Sequence, residues 1–279
     1  MRPTILPTLA FIGGGNMSKA LIGGLLAPDA GAPAIWVADP NAAQRDALAR
    51  SWPALQVVAD NRAAAAQGEV WILAAKPQQM KGIALGLADL AATQRPLVVS
   101  VAAGIRAADL ARWLGPKASI VRAMPNRPAL VGAGVTGLYA HGAVDGPRRD
   151  LAAALLGAVG QIVWVGSDAE IDAVTAVSGS GPAYFLRLIE LLTEAGTELG
   201  LAPDVARTLA IGTALGTAKL AHGSAQSCAE LRAEVTSAGG TTAAALAVME
   251  AADLHAIVLA AVGAAYRRAG ELAAEFGAD

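Results

Sequence analysis

The strongest constraint on the fold is an alternation of short apolar, β-branched runs with alanine-rich stretches over the first 166 residues. Eight runs predict strands, at residues 8–12, 34–38, 56–58, 70–74, 97–101, 119–122, 135–139 and 161–165. Helical stretches separate most of the first six, which is the rhythm of a parallel, doubly wound α/β sheet. The runs at 70–73 and 97–99 lack polar alternation, as expected of strands buried on both faces.

The strand pattern disappears after Val165, and everything from Ser167 onward reads as helix. Breaks are predicted at 178–182, 200–203, 223–227 and 237–240, where Gly, Pro and Ser cluster. We therefore predict an α/β domain over residues 1–166 and an all-helical domain over residues 167–279. The helix at 183–199 is apolar on nearly all sides, and such a helix must be surrounded. With only 16% charged residues, the chain favours an intertwined homodimer over the alternative, a compact monomeric bundle.

Composition excludes several classes of protein. The net charge is −2 and no basic stretch is present, which argues against nucleic-acid binding. Cys228 is the single cysteine, so a disulfide framework is excluded, and we expect its side chain to be a small apolar filler. The three histidines, His141, His222 and His255, show no i,i+4 pairing, and no metal site is predicted.

A mean hydropathy of +0.47 raises the question of a membrane. The longest apolar stretch, at residues 151–165, contains Gln161 and two glycines and falls short of about 18 continuous apolar residues. The amino terminus lacks a positive-then-apolar signal pattern. We expect a cytoplasmic protein that does not bind a membrane.

A glycine-rich segment, Gly-Gly-Gly-Asn-Met-Ser at 13–18, lies where the first strand becomes a helix. Gly13 permits a tight turn, and Gly15 lets the main chain approach a pyrophosphate, which the helix N-terminus with Asn16 and Met17 then holds. Ser18 stands at the third position, where Gly or Ala is usual. The placement after the first strand of a βαβ series predicts a Rossmann-type dinucleotide-binding domain, with a plain tight turn as the alternative.

The end of the second strand is expected to meet the adenosine ribose. Asp39 in this place normally bonds a free 2′-hydroxyl and repels a 2′-phosphate, which favours NAD. Asn41, Gln44 and Arg45 follow closely, within reach of a phosphate. Asp39 is equally suited to form the turn before Pro40. The residues alone leave the choice between NAD(H) and NADP(H) open.

Three further segments, at 122–129, 177–184 and 235–242, are rich in glycine, hydroxyl or other polar residues. The first follows the sixth strand, at the sheet edge where a nicotinamide would end. The other two each lead into a helix, so that uncovered N–H groups lie beside several hydroxyls. Such an entry suits a small carboxylate, and simple N-capping by Ser or Thr is the alternative.

With these segments in place, the chain resembles the pyrroline-5-carboxylate reductases over nearly its whole length. The resemblance rests on the cradle at 13–17, Ala-Lys-Pro-Gln at 75–78, Val-Ser-Val-Ala-Ala-Gly at 99–104 and the three segments above. It implies reduction of the imine of 1-pyrroline-5-carboxylate to L-proline, usually with NADPH, while NAD(H) stays possible. It also implies dimers with interleaved helical domains that often assemble further, each active site joining one subunit's nucleotide domain to the partner's helices.

The resemblance carries site roles onto matching residues. The loop that would lie along the nicotinamide ribose holds Ala75, Lys76 and Pro77. The residues that would flank the nicotinamide are Ala102, Ala103 and Gly104, with Asn126 near the ring and the substrate. The residues that would receive the substrate carboxylate are Ser237, Gly239, Gly240 and Thr241. Thr242 would be the catalytic hydroxyl nearest the imine nitrogen.

The sequence departs from the family pattern at three places. Ser18 replaces Gly or Ala, and Ala238 stands where the family commonly has Pro. Ser-Cys-Ala at 227–229 stands where the family commonly has His-Pro-Gly. None of these changes removes a proposed functional group, but the last puts in doubt how the loop near Ala225 and Gln226 covers the site.

Two other classes of function remain as alternatives. One is a reductase of another small imine or of a 3-hydroxy acid on the same architecture. β-Hydroxyacid dehydrogenases carry a helical-domain lysine followed four residues later by asparagine, whereas Lys219 is followed by Gly223. The other is a nucleotide-binding protein without turnover, which would not need the segment at 237–242.

Overall fold

The structure of the protein, a computed structural model, describes residues 7–27, 32–142 and 144–278. Its strands are β1 (Leu9–Ile12), β2 (Ile35–Ala38), β3 (Gln56–Val58), β4 (Val70–Leu73), β5 (Leu97–Ser100), β6 (Ser119–Met124), β7 (Gly134–His141) and β8 (Gly160–Trp164). Its α-helices are α1 (Asn16–Leu25), α2 (Ala42–Ser51), α3 (Asn61–Ala65), α4 (Pro77–Gln94), α5 (Ala107–Leu114), α6 (Gly146–Gly157), α7 (Asp168–Val174), α8 (Gly181–Glu198), α9 (Pro203–Gly223), α10 (Cys228–Glu234), α11 (Thr241–Ala251) and α12 (Leu254–Gly277). A 3-10 helix covers Arg127–Val131 and a π-helix covers Thr175–Gly179.

The described strands form one sheet in the order β3-β2-β1-β4-β5-β6-β7-β8. Strands β1 to β6 are parallel, β7 is antiparallel to β6, and β8 is parallel to β7. The predicted α/β class and doubly wound sheet are confirmed. The chain leaves β1 in one direction toward β2 and β3 and later resumes on its other side at β4. This reversal creates a switch point at the carboxyl end of β1, where ligands bind in such sheets.

Strand β1 shows why the sheet is buried on both faces. Leu9 and Phe11 belong to one apolar cluster, and Ala10 and Ile12 belong to the cluster on the opposite face. All four residues are fully buried. Burying a side chain as large as Phe11 contributes about 1.5–3 kcal/mol. Strands β4 and β5 are likewise buried along their whole length, with apolar residues in both clusters, so the prediction for the runs at 70–73 and 97–99 is confirmed.

Strand β6 is longer than predicted and contains a buried cation. Arg122, predicted as the last residue of the strand and the first of the polar segment, lies inside the strand and is only 2% exposed. Its guanidinium donates to Asp168 at 2.7 Å and to Asp172 at 2.8 Å, both on α7. Asp168 also accepts from the backbone N–H of Ala107, the first residue of α5, at 3.1 Å. The carboxylates thus offset the cost of burying the guanidinium and fix α7 and α5 to the sheet.

The chain folds into two compact units. The first unit comprises Met1–Gly179 together with Ala265–Asp279, and the second comprises Ser180–Ala264. The boundary predicted from composition, between residues 166 and 167, falls between β8 and α7, whereas α7 belongs to the same unit as the sheet.

The second unit is helical, and α8 packs against α9 within it. Large apolar side chains nevertheless remain exposed on these helices, including Phe185 at 68%, Leu199 at 87% and Leu259 at 65%. Helix α11 buries none of its residues. The prediction of helices that are apolar on several sides is confirmed. Within the described residues, no other element covers these exposed apolar faces.

The predicted breaks between helices are confirmed, and a further break separates α11 from α12. Helix α11 ends before Asp253, which has a φ of +52° and separates it from α12. The Asp253 carboxylate accepts from the N–H of Ala256 at 3.1 Å and so caps α12.

Among the described helices, none is by itself both long and apolar enough to cross a membrane. Helices α11 and α12, bent by 57°, meet such a test only as a pair, on length and composition alone.

Candidate dinucleotide and substrate sites

The turn after β1 needs a glycine at its first position. Gly13 has a φ of +104°, and a Cβ there would lie 2.7 Å from the carbonyl oxygen of Ala74. The turn is held by its neighbours in the sheet, since Gly13 N–H donates to Ala38 at 2.8 Å and Ala74 N–H donates to Ile12 at 2.9 Å. Both the backbone conformation and the close approach to the end of β4 therefore require glycine.

Gly15 has a different reason to be glycine. It precedes α1 with an ordinary φ of −70°, and nothing lies within 4 Å of the place a Cβ would take. The space over the first turn of α1 is therefore open to an incoming group. No side chain caps this helix. An anion with the size of a pyrophosphate fits the free N–H groups and the positive end of the dipole.

The departure at Ser18 has a structural explanation. Its fully buried hydroxyl donates to the carbonyl of Gly13 at 2.6 Å. This bond ties the first turn of α1 back to the glycine turn, so the larger residue is accommodated without an unpaired polar atom. Asn16 is exposed, and Met17 packs against the core.

Asp39, at the end of β2, uses both carboxylate oxygens inside the chain. One accepts from the N–H of Gly14 at 2.9 Å, and the other accepts from the N–H of Asn41 at 2.9 Å. The interpretation of Asp39 as a turn former is confirmed, and its position beside the glycine-rich turn leaves the contact with an adenosine ribose a prediction.

The β2–α2 turn is further fixed by side chains of α2. Arg45 donates to the carbonyls of Asp39 and Pro40, each at 2.9 Å. Gln44 donates to the carbonyl of Gly14. Asn41 caps α2 by accepting from the N–H of Gln44 at 3.3 Å. These side chains of the β2–α2 turn are therefore fixed by hydrogen bonds and lie next to the glycine turn.

The loops after β4 and β5 lie at the same edge of the sheet, because β1, β4 and β5 are adjacent and parallel. Lys76 is exposed and precedes α4, which begins at Pro77. Ala75 is half-buried, Ala102 is buried and Ala103 is exposed. The N–H of Ala102 donates to the buried hydroxyl of Ser100 at 3.4 Å.

The end of α12 supports the loop after β5, which local sequence does not reveal. Gly104 has a φ of +73°, and a Cβ there would lie 3.0 Å from the ring of Phe276 and 3.3 Å from Leu272. Arg112 donates to the carbonyl of Gly277 at 2.6 Å and so holds this helix end. The loop predicted to flank a nicotinamide is therefore backed by packed side chains.

Asn126 follows β6 at the same edge and is 9% exposed. Its amide oxygen accepts from the N–H of Val135 at 2.9 Å. Its amide nitrogen lies 3.3 Å from the carbonyl oxygen of Ser178 and 3.2 Å from the Ser178 hydroxyl. The structure thus brings Asn126 to the expected edge, with its carboxamide engaged by protein groups.

The segment at 237–242 belongs to the second unit. Gly239 has a φ of +68°, and a Cβ on Gly240 would lie 2.5 Å from the Ser237 hydroxyl. Helix α11 begins at Thr241 with Gly240 as its N-cap and without a side-chain cap. The capping alternative is therefore wrong for this entry, and the exposed hydroxyls of Ser237 and Thr241 are not used as caps. Thr242 is half-buried.

The segment that departs from the family pattern forms a capping box. The Ser227 hydroxyl accepts from the N–H of Glu230, and the Glu230 carboxylate accepts from the N–H of Ser227 at 2.7 Å. The Glu230 carboxylate also accepts from the Ser227 hydroxyl at 2.8 Å, and the bonds that it accepts from the N–H and the hydroxyl of Ser227 lower the pKa of Glu230. Cys228 is exposed at the start of α10, so its prediction as an apolar filler is wrong.

Within the described residues, no cluster of three or more His, Cys, Asp or Glu side chains is arranged to hold a metal ion. The predicted site residues fall into two groups. One follows strands β1, β2, β4, β5 and β6 at the carboxyl edge of the sheet, and the other opens α11 in the second unit. Sequence reasoning singled out the segment at 177–184 but missed that Ser178 contacts Asn126.

A doubly wound sheet with an open glycine cradle after β1 defines a dinucleotide-binding protein of the Rossmann type. Residues 8–104 match the family model of NADP oxidoreductases, coenzyme F420-dependent, and residues 168–272 match that of pyrroline-5-carboxylate reductase dimerisation. The sequence is 46% identical over 271 residues to the pyrroline-5-carboxylate reductase of Pseudomonas aeruginosa, covering 97% of this chain and 98% of that one. The chain belongs to the pyrroline-5-carboxylate reductase family.

Solved structures agree with this assignment. A pyrroline-5-carboxylate reductase from Coxiella burnetii superposes with a TM-score of 0.90 at 39% identity, covering 95% of this chain and 98% of that one. A Plasmodium falciparum pyrroline carboxylate reductase with NADP bound gives a TM-score of 0.84 at 25% identity, covering 96% and 98%. The resemblance stated from the sequence is confirmed.

Proposed function

We propose that this chain reduces the C=N bond of 1-pyrroline-5-carboxylate to give L-proline, the last step of proline biosynthesis, with NADPH favoured over NADH. The observation that carries the proposal is the full-length identity of 46% to a pyrroline-5-carboxylate reductase. Two local features support it. Gly15 leaves open space at the start of α1, and α11 begins with hydroxyls that do not cap it.

The first unit would hold the cofactor. The pyrophosphate would lie on the turn and first helical residues, Gly13, Gly15, Asn16 and Met17. Asp39 and Asn41 would meet the adenosine ribose. The nicotinamide and its ribose would lie along the loops after β4 and β5, at Ala75, Lys76 and Pro77 and at Ala102, Ala103 and Gly104. When bound, the reduced nicotinamide supplies a hydride.

The second unit would hold the substrate carboxylate. The N–H groups at the start of α11 and the hydroxyls of Ser237 and Thr241 are suitable donors, and the dipole of an 11-residue helix favours an anion at this end. Gly239 and Gly240 allow the chain to turn tightly here without side chains that would cover those donors. Asn126 would lie near the ring at the edge of the first unit, with its carboxamide held by Val135 and Ser178.

Thr242 would orient the imine nitrogen. The carbon of an imine accepts hydride far more readily when the imine nitrogen is protonated. The protein therefore needs mainly to align the reactants and stabilise the charged nitrogen. A threonine hydroxyl is too weak an acid to supply the proton outright. We assign Thr242 a hydrogen bond to the nitrogen, with the proton coming from water or from a substrate already protonated.

A homodimer with intertwined helical units would complete each site. The exposed Phe185, Leu199 and Leu259 support this part of the proposal, because such apolar faces on a monomer are rare and mark interfaces. Each site would combine the cofactor loops of one protomer with the α11 entry of its partner, and dimers would associate further. We also expect a cytoplasmic location, which fractionation of cells would test.

The decisive experiment follows loss of absorbance of the reduced nicotinamide with purified protein. We expect oxidation of NADPH with 1-pyrroline-5-carboxylate and none without substrate. Reduction of NAD(P)⁺ by 3-hydroxy acids instead would support the dehydrogenase alternative, although Lys219 is exposed on α9 and lacks the asparagine four residues later. Cofactor binding without turnover on any of these substrates would support the non-catalytic alternative.

A further inference from the structure

The end of β6 is attached to the π-helix by two contacts that join distant parts of the sequence. Asn126 donates to Ser178, at 3.2 Å to its hydroxyl and 3.3 Å to its carbonyl. One residue further along the π-helix, a Cβ on Gly179 would lie 2.6 Å from the terminal methyl of Met124. The first contact is polar, and the second is a close approach of the flexible end of Met124, which would have to shift if Gly179 carried a Cβ.

These contacts leave Asn126 poorly suited to act mainly on a ligand. Its amide oxygen already accepts from Val135 at 2.9 Å, and its amide nitrogen faces two oxygens of Ser178. At 9% exposure, an amide that lost these partners would remain buried and unsatisfied. Its contacts instead define where the chain leaves β6.

The π-helix gives this segment a shape that an ordinary helix lacks. A π-turn inserts an extra residue into a helix, changes the direction of neighbouring side chains and is frequent at functional sites. Here it spans Thr175–Gly179 and ends one residue before the N-terminus of α8. Ser180 makes no side-chain cap to α8, so capping does not explain the serines of this segment.

We propose that Ser178 is a positioning residue, which acts through Asn126 to hold the end of β6 beside the loop after β5 that would bind the nicotinamide. The inference rests on the proposed function and gives a role to the Ser-Gly-Ser-Gly segment. Gly179 assists because its lack of a side chain lets Met124 pack against the π-helix. Preorganised supports of this kind act on the reacting geometry more than on affinity for a cofactor that has other contacts.

The test compares Ser178→Ala with Ser178→Thr, which keeps an acceptor hydroxyl, in the full-length protein. We expect Ser178→Ala, which removes the hydroxyl at 3.2 Å and leaves the carbonyl at 3.3 Å, to lower kcat with 1-pyrroline-5-carboxylate about three- to tenfold, because Asn126 is held less firmly. The Kd for NADPH, from fluorescence titration, and the Tm should stay close to wild type. Ser178→Thr should restore most of kcat.

Thr175→Val is the matched control, because the Thr175 hydroxyl donates only within the helix, to Ile171 at 2.8 Å. It should leave kcat and KM unchanged. The Asn126→Ala, Ser178→Ala double variant should be no slower than Asn126→Ala alone, since both changes break one link. Gly179→Ala offers a second route, and it should displace Met124 and lower kcat without any change at Ser178.

Three results would overturn the inference: an unchanged kcat in Ser178→Ala, equal losses in Ser178→Ala and Thr175→Val accompanied by a lower Tm, or additive losses in the double variant. A wild-type protein that binds NADPH but does not reduce 1-pyrroline-5-carboxylate would instead contradict the proposed function. In that case a crystal structure of Ser178→Ala still decides the matter. An Asn126 side chain left in place refutes the positioning role, and a displaced one supports it.

Discussion

Asp39 accepts a hydrogen bond from the backbone N–H of Gly14 at 2.9 Å, so the end of β2 holds the turn after β1. The same carboxylate caps the turn to α2 through Asn41. A negative charge is thereby fixed where an adenosine ribose meets a Rossmann sheet. The residue therefore has both a structural role and an electrostatic one.

Asp39→Asn removes the charge and keeps one acceptor oxygen, so only one of the two bonds, from Gly14 or from Asn41, is retained. We expect the ratio of kcat/KM for NADPH to that for NADH to rise about three- to tenfold, because repulsion of a 2′-phosphate is relieved. Steady-state kinetics with both cofactors measure this ratio. Asp46→Asn, on the exposed side of α2, is the control for a change in net charge. A ratio that moves equally in both variants would remove Asp39 from cofactor discrimination.

Gly13 and Gly15 are two residues apart, and alanine at each should have opposite consequences. Gly13→Ala places a Cβ 2.7 Å from a carbonyl oxygen at a φ of +104°, which should cost about 1–3 kcal/mol of stability. Gly15→Ala meets no protein atom at an ordinary φ, so the Tm should hold. Its methyl would obstruct the pyrophosphate and weaken NADPH binding about tenfold or more.

Thermal unfolding and fluorescence titration of NADPH separate the two effects. Gly82→Ala on α4, where a Cβ also meets no atom within 4 Å, is the control for a harmless glycine substitution. If Gly15→Ala bound NADPH as tightly as wild type, the cofactor could not lie over the first turn of α1.

The sheet was predictable because its strands are runs of apolar residues, as in β4 and β5, whose burial on both faces leaves a local pattern. The antiparallel direction of β7 was not predictable, because a strand's direction depends on its neighbour rather than on its own sequence. The glycine cradle after β1 was predictable as well, because Gly13 belongs to a short local motif. The Asn126–Ser178 contact joins residues 52 positions apart, and no local signal specifies such a pair.

Thr242→Ala should lower turnover about tenfold or more, a loss of about 1.4 kcal/mol or greater in the transition state. The physical reason is the lost hydrogen bond to the imine nitrogen. Thr242→Ser keeps the hydroxyl and should retain most of the activity. Steady-state kinetics with 1-pyrroline-5-carboxylate give the comparison, and near-normal turnover in Thr242→Ala would eliminate this residue from the mechanism.

The stability of the first turn of α10 should depend on pH through Glu230. Its pKa lies below the ordinary value of 4.5, so its contribution to stability is present above that pH and is lost as the pH falls through the lowered pKa. Glu230→Gln should therefore speed amide hydrogen exchange in the first turn of α10 at neutral pH. The difference from wild type should vanish in strong acid.

Glu250→Gln, an exposed change on α11, is the control for this measurement. A difference at Glu230 that persisted unchanged into strong acid would show that the capping box does not depend on the ionised carboxylate.

Complementation between protomers tests whether each active site is shared. Gly15→Val should disable the cofactor cradle of its own protomer, and Thr242→Ala should weaken the substrate entry of its own protomer. If sites combine the two protomers, a mixed dimer has one site with both defects and one site with neither. Random exchange at equal amounts makes half of the dimers mixed, so activity should recover to about a quarter of wild type.

The subunits must exchange for this result to appear, so the two variants are unfolded together and refolded together, with each variant refolded alone as the control. Size-exclusion chromatography before the assay confirms that dimers have formed again. Recovery requires an intact cradle and an intact α11 entry from different chains at one site. Refolded mixed dimers whose activity merely equals the mean of the two single variants would show that each protomer builds its site alone, and the shared-site arrangement would be wrong.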